Sequence, residues 1–219
     1  MTPEHRAWRL SGGVIETLEL PPHPEWFYVP DITSKGSPVC LIPGHHNSDY
    51  ETFTLPLIAE IACRLTPWST WYLAPGFFDC HLCSGKAWGE IEVVVCRTDI
   101  NPPHSVANAY HESWHLAEAL LRPDLLAALD ARLASGPAWP GDYYPQACER
   151  RARAFEHFAM LFDEGCRQII AGDHVPSEIQ LFWYVYSGGF GREIMSKRAS
   201  KRAPRRSGIL SRMKASLFA

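Results

Sequence analysis

The sequence predicts an α+β fold, and three observations carry that prediction. Apolar side chains recur at helical spacing over about 105–121 and again over about 145–170. Short runs rich in β-branched and aromatic residues, bounded by Pro or Gly, read as strands of a small mixed sheet. The chain has 219 residues, of which 46% are hydrophobic and 21% charged, the balance of an ordinary globular domain with its own core.

The elements follow in order. Residues 1–38 carry Pro at 3, 21, 22, 24, 30 and 38 and read as loop, with one short strand at Trp26-Phe27-Tyr28-Val29. Val39-Cys40-Leu41-Ile42 is a second strand, and Gly44 to Asp49, with His45 and His46, reads as an exposed turn. A helix is expected over 49–65 from Phe53, Leu57, Ile58, Ile61 and Leu65, although Pro56 lies inside it. Trp71-Tyr72-Leu73 is a strand, Pro75 to Lys86 a loop, and Glu90 to Cys96 the clearest strand. The next helix should begin at Ser105 as N-cap, run to Leu121 and stop before Pro123. A short helix over Asp124–Leu133, a Gly/Pro/Tyr loop to Pro145, the long helix to Ile170 and an aromatic segment at 177–187 complete the ordered part.

Charge divides the chain. The net charge is −3, yet Ile194 to Ala219 holds eight Lys/Arg and no acid. The other 193 residues carry the remaining 13 bases against 24 acids, a balance of −11. The expected organisation is a domain over 1–193, with its core at about 39–190, and a basic tail over 194–219. The run Lys197 to Lys214 can meet nucleic-acid phosphates or an acidic partner, and Ile209, Leu210, Met213 and Leu217 suggest a short amphipathic helix. No aromatic is interleaved in the basic run, so base stacking is not indicated. Seven scattered Cys make a poor disulfide framework. No apolar run is long enough for a membrane span and Met1 to Leu20 is not a secretory signal, so the expected location is cytoplasmic.

The chemistry concentrates in His111-Glu112-Ser113-Trp114-His115, an H-E-x-x-H pattern. Residues four apart share a helical face, so both imidazoles can bind one Zn²⁺, while Glu112 beside them can act as general base toward a water. Val106, Tyr110, Trp114, Ala117 and Leu121 form an apolar stripe next to the pair. A hydrolytic site needs a third protein ligand. Glu118 lies two turns from His111, about 10 Å of rise, so contact with an imidazole suits it better than ligation. Glu149 and Glu156, on one face of the next long helix, are the further candidates, as ligand or as support to an imidazole. Tyr110, Tyr143, Tyr144 and His157 are candidate donors to a developing oxyanion. Cys80-His81-Leu82-Cys83 is only half of a structural zinc motif; Cys63, Cys96 or His104 would have to complete it.

The H-E-x-x-H motif followed by Glu149-Arg150-Arg151-Ala152-Arg153-Ala154-Phe155-Glu156-His157-Phe158-Ala159 resembles the gluzincin branch of zincin-like metallopeptidases. It is similar to the small zincin domains of phage and mobile-element proteins, over roughly residues 88–162. Met160-Leu161-Phe162-Asp163 replaces the Leu-Leu-x-Pro that follows Phe-Ala in the repressor-cleaving peptidases of that group. The resemblance implies a minimal zincin-like domain, with 90–96 as the edge strand of the sheet. It also implies one Zn²⁺ on His111, His115 and the downstream Glu149, the expected third ligand, and a peptide or protein substrate. The alternative is a non-catalytic phage or mobile-element interaction protein that keeps a degenerate zincin scaffold and acts through its basic tail.

Overall fold

A computed structural model describes residues 5–20, 27–28, 39–47, 49–78, 84–135, 146–163 and 177–202. The architecture is mixed α+β. Eight strands β1(Arg6–Ser11), β2(Val14–Glu19), β3(Phe27–Tyr28), β4(Cys40–Ile42), β5(Thr70–Ala74), β6(Gly76–Phe78), β7(Gly85–Trp88) and β8(Val93–Arg97) form two sheets among the described residues. The larger has the order β2-β1-β5-β8-β7, with β5 and β8 parallel and the other pairs antiparallel. The smaller is β3-β4-β6. The helices are α1(Leu55–Leu65), α2(Pro102–Glu118), α3(Pro123–Ser135), α4(Ala147–Asp163), α5(Ser177–Tyr186) and α6(Gly189–Arg202).

Alternation along the central strands builds two cores. Trp71, Leu73, Val94 and Cys96 pack with the helices, while Tyr72, Ala74, Val93 and Val95 pack with Leu41 and Phe77 of the small sheet. β8 is covered on both faces, which is why it reads as an unbroken apolar run. Beneath the helix pair α2 and α4, the rings of Trp114, Phe155 and Phe182 meet at centroid distances of 5.1 to 5.6 Å. Truncating such a ring costs about 3–5 kcal/mol.

Several sequence expectations need correction. Residues 6–19 are a hairpin rather than loop: Gly12 and Gly13 both have positive φ, 56° and 83°, which a two-residue turn between twisted strands requires. Pro56 stands in the first turn of α1, where its missing N–H is not needed, and a π-helical turn at Tyr50–Thr54 leads into it. The expected loop 75–86 contains β6 and the start of β7. The strand expected at 90–96 begins at Val93, because Gly89 to Glu92 turns, and β8 is interior; the edge strand on that side of the sheet is β7. α2 starts at Pro102 rather than Ser105. Asn101 is its N-cap, its Oδ1 accepting from the His104 N–H at 3.0 Å, and two Pro occupy the next positions. His46 is half-buried, its Nδ1 2.7 Å from Thr98 Oγ1, not an exposed turn residue. α6 runs continuously through residue 194 to Arg202, and the expected helix around 209–217 lies outside the described residues. None of the described helices is long and apolar enough to cross a membrane.

Candidate metal centre

α2 lies against β7 on one side and α4 on the other, and a cleft of about 1020 Å³ opens between them. The two helices run antiparallel, since Tyr110 meets Asp163 while Glu118 meets Arg151. His111 therefore faces Glu149 and Glu156 together. Its Nε2 lies 3.2 Å from Glu149 Oε2 and its Nδ1 3.1 Å from Glu156 Oε2. His115 Nε2 lies 3.1 Å from His111 Nε2 and 3.4 Å from Glu149 Oε1. The donor atoms of His111, His115 and Glu149 fall within 4.8 Å of one another. Two ligands each about 2.1 Å from a tetrahedral Zn²⁺ stand roughly 3.4 Å apart. The three donors thus already have the spacing of a metal-binding triangle.

Electrostatics agree with the geometry. Burial alone would lower the His111 pKa, but its contacts with Glu149 and Glu156, and the nearby Glu112, outweigh it and hold the ring's pKa at about 9. Glu149 is driven well below the usual carboxylate range by His111 and His115. Glu112 is 5% exposed, and burial raises its pKa against the pull of the two imidazoles. A raised carboxylate next to a histidine pair is suited to accept and return a proton.

The backbone of β7 closes over this carboxylate. A Cβ at Gly85 would stand 2.3 Å from Asn108 Nδ2 and 3.0 Å from Glu112 Cγ, so any side chain there would displace Asn108. Asn108 donates to Cys96 Sγ at 3.2 Å, tying α2 to β8. On α4, Arg153 Nη1 donates to Glu156 Oε2 at 2.7 Å, so Arg153 holds Glu156, which in turn faces the His111 ring.

The structure separates the sequence candidates. His111, Glu112, His115, Glu149 and Glu156 meet in the cleft. Glu118 reaches no imidazole; it accepts from Trp114 Nε1 at 2.7 Å and pairs with Arg151. Tyr110 and His157 do not line the cleft: the Tyr110 hydroxyl is bonded to Asp163 and Arg64 in the core, and His157 is exposed on α4. Tyr143, Tyr144 and the Cys80–Cys83 segment lie outside the described residues, while Cys63 is exposed and Cys96 buried. Gly85, Asn108 and Arg153 escaped the sequence reading. Spacing held a signal for two of them, since Asn108 precedes Glu112 by four positions and Arg153 follows Glu149 by four.

No protein-family model matches the chain, and no match was found among curated proteins or solved structures.

Proposed function

We propose that the chain is a zinc-dependent hydrolase of zincin-like type that cleaves peptide bonds. The triangle of His111 Nε2, His115 Nε2 and Glu149 carries this reading, because its donor separations of 3.1 to 3.4 Å match those of ligands around one tetrahedral ion. Two imidazoles and a carboxylate, with a cleft on the remaining side, are the donor set of a hydrolytic rather than a closed structural site. Zinc held there supplies Lewis-acid polarisation of a carbonyl and lowers the pKa of water.

The chain's own residues do the rest. Glu112 takes the proton of the attacking water and returns it to the leaving amine. Glu156, held by Arg153, orients the His111 ring through Nδ1. β7 ends the sheet beside the cleft, and a terminal strand can pair with an extended peptide through backbone hydrogen bonds, which favours a polypeptide substrate.

Elemental analysis of the purified protein tests the metal. About one zinc per chain is expected, falling to background in the His111→Ala/His115→Ala variant; equal, substoichiometric metal in both sinks the proposal. Hydrolysis of a mixed peptide library, present in the wild type and absent in Glu112→Gln with its zinc intact, tests the activity.

A further inference from the structure

The basic stretch lies apart from the metal centre, yet the described part of it touches the cleft's rim. The N-terminal half of α6 is anchored: Phe190 packs edge-on against Trp68 at 6.0 Å, and a Cβ at Gly191 would stand 2.9 Å from the Arg64 carbonyl oxygen. Beyond Ile194 the described side chains are exposed except Arg198, which is half-buried. Arg198 reaches back to Glu92 and binds its carboxylate with both terminal nitrogens, Nη1 to Oε2 at 2.9 Å.

Glu92 is the one described non-glycine residue with a positive φ, 61°. Side chains are rarely placed there without something holding them. Its carbonyl accepts from the Thr70 N–H at 2.9 Å, and its carboxylate is held by Arg198. This turn joins β7 to β8, and Gly89 and Glu90 within it line the cleft. One guanidinium therefore links the basic helix to the rim of the candidate active site.

The charge pattern points to a partner. Lys197/Arg198 and Lys201/Arg202 are dibasic pairs four residues apart, and the sequence repeats the pair at Arg205/Arg206. Four residues of helix rise about 6 Å, which gives roughly one positive charge per 3 Å once Lys197 leaves Glu193 and Arg198 leaves Glu92, their partners on the free protein. A nucleic-acid strand carries one phosphate per about 3.4 Å of axis. That agreement in linear charge density favours a phosphate backbone over an acidic protein surface. The lack of interleaved aromatics fits contact with the backbone rather than the bases.

We propose that the basic face of α6 is a docking surface for a nucleic-acid backbone, and that on docking Arg198 exchanges Glu92 for a phosphate, releasing the β7–β8 turn at the cleft rim. Phosphate accepts a guanidinium fork as carboxylate does, so the two compete for the same donor. The pair is about one-third exposed on each side and open to screening, so a polyanion can displace it. The proposal does not depend on the cleft being a peptidase site, and its test uses no hydrolysis.

The test is fluorescence anisotropy of the full-length chain with a labelled single-stranded oligonucleotide of about 20 nucleotides and with its duplex, between about 50 and 200 mM salt. Hydrogen exchange over residues 85–97 is followed in parallel. Binding should weaken linearly with the logarithm of salt. Arg198→Ala should bind more weakly, with the slope reduced by about 0.7–0.9, the contribution of one phosphate contact. Glu92→Gly keeps a residue at ease with the turn's φ and removes the competing carboxylate, so it should bind several-fold tighter than wild type. Oligonucleotide should speed amide exchange at 86–93 in the wild type, and Arg198→Ala should already exchange fast without it. Equal binding by Glu92→Gly and wild type, unchanged exchange on binding, or salt-independent binding overturns the proposal. Equally tight binding of polyglutamate overturns it in favour of an acidic protein partner.

Discussion

The α2–α4 helix pair carries two polar clusters on different faces, and they differ in how donors and acceptors balance. Around Asp163, the hydroxyls of Tyr110 and Tyr186 donate to the two carboxylate oxygens, while Arg64 donates to Tyr110 at 3.1 Å and lies over the Tyr186 ring at 4.5 Å. One acid meets one cation and two hydroxyl donors. Burial and the Asp163 carboxylate keep the Tyr110 phenol protonated far above its ordinary pKa, and both hydroxyls find their acceptor within the cluster. Around His111, three carboxylates surround two imidazoles, Arg153 is bonded to one of them, and the cluster opens on a cleft. Carboxylates outnumber imidazoles there. A balanced cluster fastens helices together; an open one rich in carboxylates calls for a cation.

That contrast can be broken or sharpened by substitution. The largest effect is expected for Glu112→Gln: peptide hydrolysis should fall by about 10²–10⁴-fold while zinc content and melting temperature stay near wild type. Loss of zinc along with activity would show that Glu112 belongs to the metal's support, not to proton transfer. Next comes Glu156→Gln, which leaves all three ligands in place. Zinc affinity, read by competition with a chelator, should drop about 10–100-fold because the His111 ring loses its orienting carboxylate; an unchanged affinity would remove Glu156 from the centre.

Asp163→Asn probes the other cluster. It should cost about 1–3 kcal/mol in chemical denaturation and leave zinc affinity alone. A variant that folds normally yet loses zinc would erase the division between the two clusters.

The smallest effect is in the pH dependence of the metal-free protein. The folded His111 pKa, about 9, exceeds its reference of 6.5, so its contribution is fully present below 6.5 and is lost as pH rises through 9. Glu149, depressed in the fold, contributes above the ordinary carboxylate value of 4.5 and loses that contribution on acidification. Thermal melts of the metal-free chain should therefore peak between about pH 5 and 6.5 and decline on both sides. With zinc bound the alkaline decline should vanish, because the metal takes the place of the His111 proton; identical profiles with and without zinc would contradict this.

Much of the site was legible because helix periodicity is local. The spacing of His111 and His115 requires a shared face, and the distance from His111 to Glu118 along the axis already argued for a ligand on another helix. The misplacements came from what periodicity leaves open. Tyr110 is adjacent to His111, but one residue of helix turns about 100°, which sends its ring into the core instead of the cleft. The Gly12-Gly13 hairpin lies inside the Pro-rich stretch 1–38, whose composition masks it, although Gly-Gly between two six-residue runs is a turn signal. β7, Gly85-Lys86-Ala87-Trp88, has no β-branched residue, and its glycine is explained only by the closeness of Asn108 and Glu112 in the fold. The Arg198–Glu92 pair spans 106 positions, and nothing local marks it.

The proposed centre is a metal on two imidazoles and one carboxylate with a side open to solvent. X-ray absorption at the zinc edge of the loaded protein reads that arrangement directly. Two imidazole nitrogens and two oxygens at about 2.0–2.2 Å are expected, with one oxygen shell altered in Glu149→Ala. A sulfur shell near 2.3 Å, or a spectrum unchanged by the loss of Glu149, would contradict it.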